Sequence, residues 1–537
     1  MKTYDYIVVG SGCTGAMAAQ TVVETNASVL MIDVGKTNEN YTSPLPDDSF
    51  THLRKSDSDQ YSYFIGKQLE GVAWGSVGKG EQITPPRKHI LRDTESIIPI
   101  ASTSFSPAES LGYGGLGIGW GVGCWTFSDT ELEKAGLSPT AMRRAYNIVA
   151  DRIGISATID DARAYSISDV KPIQPSPHMD TNHTLIYEKY LTHKEAIVSS
   201  GFSMGRAPLA VITKNMNGRK KYAYRDMDFY SDDDKSAYRP WITVDQLRCK
   251  SNFTYIGNHL AVSFTEKKEY TTLTCVNLAT NKHVSFRAKK LLLAPGVLGS
   301  ARIVLRSMGD KNSRLPLLCN PYSYVPCIQP SMLGKSAEEK KLGFAQLSLF
   351  LDESRSQSEV AMASLYSYQS LMLFRLARQV PLGFAAARQL LQYLSSAIVI
   401  LGIHQPDHQS PDKYVMLEPD STSPTGDTLA INYRLSKQEI TDRKRREKKY
   451  IRVMRKMNVF ALKRIDPGMG ASIHYAGTIP FSDEDTPLTL HKSGRLHGTQ
   501  RVFVADGSGF TFLPAKGLTF SIMANAVTVA ENAIKSE

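Results

Sequence analysis

The sequence predicts a mixed α/β (α+β) fold in which a Rossmann-like domain is joined to a second domain with an antiparallel sheet. Three observations predict it. A strand, a glycine-rich turn, a helix and a second strand follow one another within the first 33 of 537 residues. Strand, turn and helix recur in residues 291–305 and 502–519. Between these units, apolar and polar residues alternate as in antiparallel strands that bury one face.

The first unit has the pattern of a nucleotide-binding motif. Residues 6–9 form a short apolar run, and Gly10, Gly12 and Gly15 follow with the spacing G-x-G-x-x-G. The first glycine permits a tight turn, the second lets the backbone approach a pyrophosphate, and the third lets the helix pack closely on the strand. The N-terminus of the helix then directs free N–H groups and a positive dipole end toward the phosphates.

A second apolar strand, residues 28–32, ends at Asp33, which lies 18 residues after Gly15. In dinucleotide-binding proteins an acidic residue about 20 residues further on accepts hydrogen bonds from a ribose. A lone glycine pattern is weak evidence, and its alternative is a structural turn. The complete series of strand, glycines, helix, strand and acid predicts a dinucleotide site.

Two later segments repeat the order of strand, turn and helix. Residues 291–294 form an apolar strand that leads through a Pro-Gly turn into a helix at 300–305. Residues 502–505 form another strand, and a helix follows from about residue 519. A loop–helix junction of this kind can direct free N–H groups at a cofactor. The alternative for the C-terminal segment is a plain terminal αβ unit.

Residues 112–125, GYGGLGIGWGVGCW, contain seven glycines in fourteen positions. Inside a helix or strand each glycine costs roughly 0.5–1 kcal/mol relative to alanine, so we expect an irregular loop. Bare backbone lets another group lie directly against the main chain. The alternative is a loop that packs only on other backbone.

Composition and charge indicate an ordinary globular protein with a sizeable core, since 42% of the residues are hydrophobic and 21% are charged. The 63 basic and 52 acidic residues are mixed along the chain, so the net charge of +11 is diffuse and we expect no nucleic-acid partner. The one dense basic block, residues 443–456, is typical of a solvated helix face. A membrane or polyanion patch is its alternative.

The six cysteines include no C-x-x-C pair, so the sequence indicates neither a disulfide framework nor a metal site. The chain opens on an apolar strand rather than on the pattern of a secretory signal, and no apolar run is long enough to cross a membrane. We therefore expect a cytoplasmic protein.

Five motifs in one order resemble the glucose–methanol–choline (GMC) family of flavoprotein oxidoreductases. They are GSGCTG with Asp33-Val34-Gly35, the loop Gly114–Gly121, LLLAPG, HYAGT at 474–478, and the closing VADGS…LPAKGLTFSIMANA. The motifs span nearly the whole chain, whereas residues 160–225 and 316–430 have no recognisable counterpart. The resemblance implies FAD as cofactor, held against the bare backbone of the glycine-rich loop, with Trp120 beside the isoalloxazine ring.

The resemblance also implies a cofactor site drawn from all these motifs. Its residues are mostly glycines because main chain lies against the cofactor. The expected contacts are Gly10, Gly12, Cys13, Thr14, Gly15, Asp33, Gly114, Gly115, Trp120, Gly121, Ala261, Gly296, Asp506, Gly507, Leu518 and Thr519.

A catalytic histidine is implied at His474, the first residue of H-x-x-G-T. A neutral imidazole with a pKa of about 6.5 can accept the hydroxyl proton while an alcohol loses hydride. Family members usually carry a second His or Asn before the last helix, where this chain has Gly517 beside Lys516. With a lowered pKa, Lys516 is a candidate donor or a stabiliser of negative charge. Weaker candidates are Tyr475, Asn525 and His404.

The motifs predict a discontinuous cofactor domain and a discontinuous substrate domain. The cofactor domain comprises residues 1–160, 225–315 and 465–537, and the substrate domain comprises residues 161–224 and 316–464. Strands of the substrate sheet are predicted at 343–352, 395–407 and 414–420.

Residues 358–394 have a helical, apolar pattern interrupted at Pro381-Leu382-Gly383. Three interpretations stand: a core or lid helix pair, a dimer surface, or an amphipathic element within 358–403 that contacts the inner face of a membrane. The third is the reason to consider a hydrophobic or lipid-linked small-molecule substrate.

The predicted reaction is FAD-dependent oxidation of a CH–OH group of an alcohol, sugar or lipid-like substrate to a carbonyl. Hydride passes to flavin N5, and His474 is the general base. Two alternatives stay in view. One, which Gly517 motivates because it offers no side chain, is a different FAD reaction: C–C or C=C redox chemistry, decarboxylation or amine oxidation. The other is a membrane-associated flavoprotein that attaches through residues 358–403.

Overall fold

The computed structural model describes residues 2–37, 46–64, 66, 84–232, 234–310, 312–336, 338, 340–367 and 381–536. Its helices are α1 Cys13–Val23, α2 Phe50–Ser56, α3 Tyr61–Phe64, α4 Thr94–Ile97, α5 Asp129–Lys134, α6 Pro139–Ile153, α7 Arg163–Ser166, α8 Thr181–Thr192, α9 Lys194–Ser199, α10 Pro240–Arg248, α11 Val297–Met308, α12 Phe384–Ser395, α13 Lys437–Lys456 and α14 Leu518–Lys535. Short 3₁₀ helices lie at Pro85–Ile90, Gly115–Ile118, Pro330–Met332 and Gly507–Gly509.

The strands alternate with these helices along the chain. They are β1 Thr3–Val9, β2 Val29–Ile32, β3 Ile100–Ala101, β4 Ser156–Ala157, β5 Gln174–Pro175, β6 Phe202–Arg206, β7 Phe253–Ile256, β8 His259–Glu266, β9 Thr271–Asn277, β10 Lys282–Leu293, β11 Leu315–Pro316, β12 Leu318–Cys319, β13 Tyr322–Ile328, β14 Leu347–Leu351, β15 Ala361–Ser367, β16 Ile398–His404, β17 Asp407–His408, β18 Lys413–Pro419, β19 Asp427–Tyr433, β20 Phe460–Ala461, β21 Tyr475–Ala476, β22 Val502–Val504 and β23 Phe512–Leu513.

A seven-stranded sheet has the order β7-β2-β1-β10-β9-β8, with β22 beside β10. Strands β7, β2, β1, β10 and β22 run parallel, whereas β10, β9 and β8 form an antiparallel meander. The long strand β10 belongs to both parts, because residues 287–293 pair with β1 and residues 282–288 pair with β9. Helix α1 packs against α14, and α14 packs against α6. The predicted Rossmann-like fold is confirmed.

A six-stranded antiparallel sheet has the order β20-β13-β16-β15-β14-β6. Its strands come from the segments predicted as the substrate domain, and those of the seven-stranded sheet come from the segments predicted as the cofactor domain. A smaller sheet has the order β11-β18-β19-β3. In it, β3, which belongs to the predicted cofactor domain, pairs with β19, which belongs to the predicted substrate domain. The antiparallel second sheet was correctly predicted, and the domain boundaries themselves stay a prediction.

The helical prediction for residues 358–394 is wrong in its first part. Residues 361–367 are β15, which pairs with β14 on one side and β16 on the other. Residues 361–365 of this inner strand are buried on both faces, so the strand lacks the apolar–polar alternation that distinguishes a half-exposed strand from a buried helix. Residues 384–395 are helical as predicted, and 368–380 lie outside the described residues.

The membrane element proposed within 358–403 includes two inner strands, β15 and β16, so only its remaining residues can contact a bilayer. The peripheral contact itself stays a prediction. Across the described ranges, no helix combines the length and the hydrophobicity that crossing a membrane requires. The basic block 443–456 lies in α13, which buries Val453 and Met454.

Candidate active site

A cavity of about 850 Å³ lies at the carboxyl edge of the parallel strands. Gly10, Asp33 and Ala294 border it just beyond the ends of β1, β2 and β10. Open α/β sheets bind ligands at this edge, where loops and helix N-termini converge. One face of the six-stranded sheet borders the other side through residues at alternate positions. They are Tyr322, Tyr324, Met362, Ser364, Tyr366, Ile400, Gly402 and His404.

The three glycines of the first turn have three different roles. Gly10 has φ +93°, and a Cβ there would lie 2.7 Å from the carbonyl oxygen of Ala294. A Cβ on Gly15 would lie 1.9 Å from the carbonyl oxygen of Gly10, so this glycine allows α1 to pack on the turn. A Cβ on Gly12 would lie 4.0 Å from the nearest atom, and Gly12 borders the cavity. Helix α1 begins without a side-chain cap, so its first N–H groups are available to a ligand.

Asp33 is held in place by two hydroxyl groups. Its Oδ2 accepts hydrogen bonds from Ser11 and, at 3.4 Å, from Tyr255. Burial raises the pKa of Asp33 to about 6. The Ser11 hydroxyl also accepts the N–H of Gly114 at 2.8 Å, so it ties the first turn to the glycine-rich loop. Ser11 lies within the G-x-G-x-x-G motif, but sequence reasoning assigned it no role.

The glycines of the glycine-rich loop have two roles: some are required by packing within the protein, and others expose main chain to the cavity. A Cβ at Gly117 would lie 2.6 Å from the sulfur of Cys13, and one at Gly123 would lie 2.0 Å from the Trp125 ring. These glycines are required by packing within the protein. Gly121 differs, because a Cβ there would meet nothing within 4 Å and the residue borders the cavity. Main chain is therefore exposed to a ligand at Gly121.

The C-terminal segment presents a second helix N-terminus to the cavity. Leu518 and Thr519 begin α14 and border the cavity, and the helix has no side-chain cap. The buried Asp506 carboxylate accepts hydrogen bonds from the hydroxyls of Ser300 at 2.7 Å and Ser508 at 2.6 Å. Asn525 donates to the carbonyl of Asp506 at 3.0 Å, so it supports the loop.

His474 borders the cavity from the loop before β21 and is oriented by Asn320. The Nδ1 atom of His474 lies 3.0 Å from Oδ1 of Asn320. The Asn320 amide nitrogen donates to the carbonyls of Gln405 at 2.8 Å and Pro514 at 3.0 Å, so Oδ1 must face the histidine. Nδ1 therefore carries the proton, and Nε2 is the acceptor. Burial lowers the pKa of His474 to about 4, so the ring is neutral at pH 7.

His404, at the end of β16, packs against His474. The two ring centroids are 4.9 Å apart and the planes meet at 21°. The Tyr322 ring lies 4.5 Å from the His404 ring. Burial and the neighbouring His474 hold the pKa of His404 well below its usual value. Within the described part of the chain, Nδ1 of His404 is buried and has no hydrogen-bond partner.

Positions 516 and 517 do not supply a second side chain at His474. Gly517 borders the cavity, but a Cβ there would lie 2.5 Å from the Trp125 ring. The Trp125 indole N–H is held by the Ser348 hydroxyl at 3.0 Å. Lys516 does not border the cavity, and its ammonium lies 2.7 Å from Oε2 of Glu131 with both side chains fully buried.

The remaining wall is largely aromatic. Trp120 borders the cavity as well, and its indole N–H donates to a backbone carbonyl at 2.9 Å. At this end of the cavity, Asp226 has one buried oxygen without a hydrogen-bond partner among the described residues. Burial and the nearby Asp228 raise the pKa of Asp226 to about 8. The other aromatic residues of the wall are Trp125, Phe229, Tyr230 and Phe344.

Most of the predicted site residues meet at this one cavity. Gly15, Gly114 and Lys516 lie outside its lining. Sequence reasoning missed Asn320 and Asp226, which lie outside the five motifs, and it assigned no role to Trp125, which ends the glycine-rich segment. The predicted residues that border the cavity are Gly10, Gly12, Cys13, Thr14, Asp33, Gly115, Trp120, Gly121, Ala261, Gly296, His474, Asp506, Gly507, Gly517, Leu518 and Thr519.

Comparisons with known proteins agree with this arrangement. Residues 414–526 match the family model described as GMC oxidoreductase. A pyridoxine 4-oxidase from Mesorbium loti has a TM-score of 0.57 and 14% identity, covering 98% of this chain and 99% of that chain. A formate oxidase from Aspergillus oryzae RIB40, described for its FAD modification, has a TM-score of 0.57 and 12% identity, covering 99% and 98%. A comparison with curated protein sequences finds no match.

At these identities the solved structures show a shared fold over the full length, and the family match adds a sequence relationship in the C-terminal segment. The match includes the HYAGT motif with His474 and the last strand and helix before residue 526. The resemblance to the GMC family found in the five motifs is confirmed by the family match over residues 414–526 and by the fold shared with the two oxidases.

Proposed function

We propose that the protein is an FAD-dependent oxidoreductase that oxidises a CH–OH group to a carbonyl, with His474 as general base. The observation that carries the proposal is the state of His474. It borders the cavity, its Nδ1 is engaged by Asn320, and burial keeps the ring neutral. A neutral imidazole with a free Nε2 is suited to accept the proton of an alcohol.

The residues around the cavity fit a bound FAD. Gly12 and Gly121 leave space beside the main chain, and α1 and α14 both begin without a side-chain cap. Uncapped helix N-termini bind anionic groups, so α1 suits the pyrophosphate and α14 suits a group that gains negative charge. Asp33 offers a carboxylate to a ribose hydroxyl. When bound, FAD supplies the acceptor for the hydride.

The protein's own groups handle the proton and the orientation. The O–H bond of the substrate breaks, and its proton passes to Nε2 of His474. With FAD bound, the hydride of the carbon that bears this oxygen would pass to the cofactor, and the C=O bond would form. Asn320 keeps the His474 ring in the tautomer that can accept, and it stabilises the imidazolium that results.

The lining favours an alcohol with a hydrophobic or aromatic body. Aromatic side chains of the cofactor side and tyrosines of the sheet face border the cavity, and Met362 and Ile400 lie among them. Such surfaces bury apolar ligand area, and a few polar groups then fix the orientation. We therefore expect bulky or lipid-like alcohols to be better substrates than small polyols.

Replacement of His474 tests the base. In anaerobic single-turnover experiments the flavin of the wild-type protein is expected to bleach with a suitable member of a panel of aryl, long-chain and sugar alcohols. His474→Asn should slow this reduction by about 10²–10⁴-fold, because general base catalysis contributes that much. The matched control is His408→Asn, which removes an exposed imidazole at the protein surface near Glu359.

The pH profile gives a second measurement. Above the pKa of His474, which is about 4, the imidazole is neutral and flavin reduction should not depend on this group. Reduction should fall as the pH drops through that value, because the protonated ring cannot accept. A wild-type reduction rate in His474→Asn would refute the assignment of the base. Flavin reduction by amines but by no alcohol would support amine oxidation, one of the alternative reactions that Gly517 suggests.

A further inference from the structure

We propose that His404 is a second catalytic residue, which donates a hydrogen bond from Nε2 to the substrate oxygen that His474 deprotonates. This inference rests on the proposed function and identifies a residue of the same site. It places the donor on a strand of the six-stranded sheet, about 70 residues before His474 in the chain.

The register of the sheet brings His404 to the cavity. Along β16, Ile400, Gly402 and His404 border the cavity, whereas Leu401 and Ile403 are fully buried in the core on the other face. Strand side chains alternate between faces, so this placement follows from the pairing of β16 with β13 and β15. The stacked His474 ring, 4.9 Å away between centroids, borders the same cavity.

The surroundings of the His404 ring determine its tautomer. Nδ1 is buried without a partner in the described part of the chain, whereas Nε2 is not among the buried, unbonded atoms. A buried N–H without an acceptor is costly and rare in proteins. We therefore expect Nδ1 to be the bare nitrogen and the proton to lie on Nε2, the nitrogen that the cavity can reach. Burial also keeps this ring uncharged.

The two imidazoles then have opposite tautomers. His474 carries its proton on Nδ1, where Asn320 accepts it, and offers a lone pair at Nε2. His404 offers an N–H donor. An alcohol oxygen needs both partners, because its proton must be accepted and the negative charge that develops on it must be stabilised.

The other nearby candidates are engaged elsewhere. The Tyr475 hydroxyl donates to the Gly470 carbonyl at 2.7 Å and accepts the N–H of Ala108 at 2.9 Å. The ammonium of Lys516 pairs with a buried carboxylate outside the cavity lining. Among the described candidates, His404 packs directly on the His474 ring, and no hydrogen bond of its ring nitrogens occupies its donor.

The chemistry balances with His404 as donor. The substrate O–H bond breaks and its proton moves to Nε2 of His474, the C–H hydride moves to the cofactor, and the C=O bond forms. His404 gives up no proton. Its hydrogen bond lowers the energy barrier because it stabilises the partial negative charge on the substrate oxygen before the C=O bond is complete.

Two substitutions at one position separate donation from packing. His404→Leu removes the donor, and flavin reduction by the alcohol that reduces the wild type should slow by about 10²–10³-fold, the usual cost of one lost oxyanion donor. His404→Gln keeps an amide N–H and should recover at least part of that loss. The substrate concentration for half-maximal reduction should change much less than the limiting rate, because the bond strengthens during reaction. His408→Leu, at the surface, is the matched control.

A measurement without substrate tests the same assignment. In ¹⁵N-histidine NMR spectra of the flavin-loaded protein, His474 should show the Nδ1–H tautomer and His404 the Nε2–H tautomer, with His474→Asn and His404→Gln identifying the two resonances. A wild-type reduction rate in His404→Leu, or an Nδ1–H tautomer at His404, would overturn the inference and leave His474 as base intact. If no alcohol reduces the wild-type flavin, the proposed function fails, and the NMR result alone decides the tautomer of His404.

Discussion

Asn320 lies just before β13 of the six-stranded sheet and contacts His474, the proposed general base. The amide nitrogen of Asn320 donates to the carbonyls of Gln405 and Pro514, so its amide oxygen is the atom that faces His474. The tautomer of His474 therefore depends on three chain segments that are distant in sequence. If His474 is the base, as proposed, Asn320 contacts the base rather than the substrate and is a positioning residue.

Asn320→Leu is expected to slow flavin reduction by roughly 10- to 100-fold, as losses of a supporting partner do at other sites. Without the acceptor, the His474 proton redistributes between the two ring nitrogens, and a fraction of the rings presents the wrong one to the substrate. The ¹⁵N spectrum of His474 should move toward a mixture of tautomers together with the loss of rate.

Asn182→Leu is the control for Asn320→Leu. Asn182 is also buried and also donates to a backbone carbonyl, that of Ser396 at 2.9 Å, but it lies outside the cavity lining. It should lower the free energy of unfolding, by about 1–3 kcal/mol for an unsatisfied carbonyl, without changing the tautomer of His474. An unchanged tautomer in Asn320→Leu would contradict the positioning role.

Residues of the site were predictable where their signal is local. Gly10, Gly12 and Asp33 belong to one short motif, and His474 lies in a recognisable pentapeptide. Asn320 was not predictable, because its role depends on a contact between positions 154 residues apart in sequence. The same limit applies to Trp125, whose ring fills the space beside Gly517 and whose N–H reaches Ser348.

Helix α5 shows how an element can be tied to the far end of the chain. Ser128 and Glu131 form a capping box at its N-terminus, and Oε2 of Glu131 also lies 2.7 Å from the ammonium of Lys516. Both charged side chains are fully buried, so each depends on the other for compensation. The ion pair therefore joins α5 to the segment before α14.

Lys516→Met should lower the free energy of unfolding by about 3–5 kcal/mol, because it leaves the Glu131 carboxylate buried without its cation. Urea titration of the flavin-free protein measures this directly. The double variant Lys516→Met/Glu131→Gln should recover most of the loss, since glutamine removes the buried charge and still completes a capping box. Equal destabilisation in the single and double variants would show that the ion pair is not the cause.

Strand β15 shows why one element was assigned the wrong structure. Its sequence AMASLYS is buried at five successive residues, because one face of the strand packs in the core and the other borders the cavity. Alternation of apolar and polar residues, the signal that predicted the meander β8–β10, is absent from such a strand. Helix α12, which follows, exposes Leu390 and Tyr393 and keeps a helical pattern in the sequence.

At the scale of the whole molecule, the sequence motifs predicted correctly that segments far apart in the chain meet at one cavity. Its lining comes from the first turn, the glycine-rich loop, the end of β10, the loop at His474 and the start of α14. Parallel pairing brings the ends of β1, β2, β10 and β22 to one edge, so motifs separated by hundreds of residues meet there. A ligand that contacts all of them should stabilise the folded chain as one unit.

A substitution at Gly12 distinguishes an effect on ligand binding from an effect on the stability of the flavin-free protein. A Cβ at Gly12 meets only one atom, at 4.0 Å, and its φ of −65° suits any residue, so Gly12→Ala should match or exceed the wild-type stability without flavin. The methyl group would enter the cavity beside the N-terminus of α1, where we expect the pyrophosphate to bind, so FAD affinity should fall about tenfold or more, which corresponds to about 1.4 kcal/mol or more. In Gly15→Ala the methyl group would lie 1.9 Å from a carbonyl oxygen, so the flavin-free protein itself should lose about 1–3 kcal/mol. Thermal unfolding of each variant with and without saturating FAD measures both effects. Equal FAD stabilisation of wild type and Gly12→Ala would show that the dinucleotide does not bind at this turn.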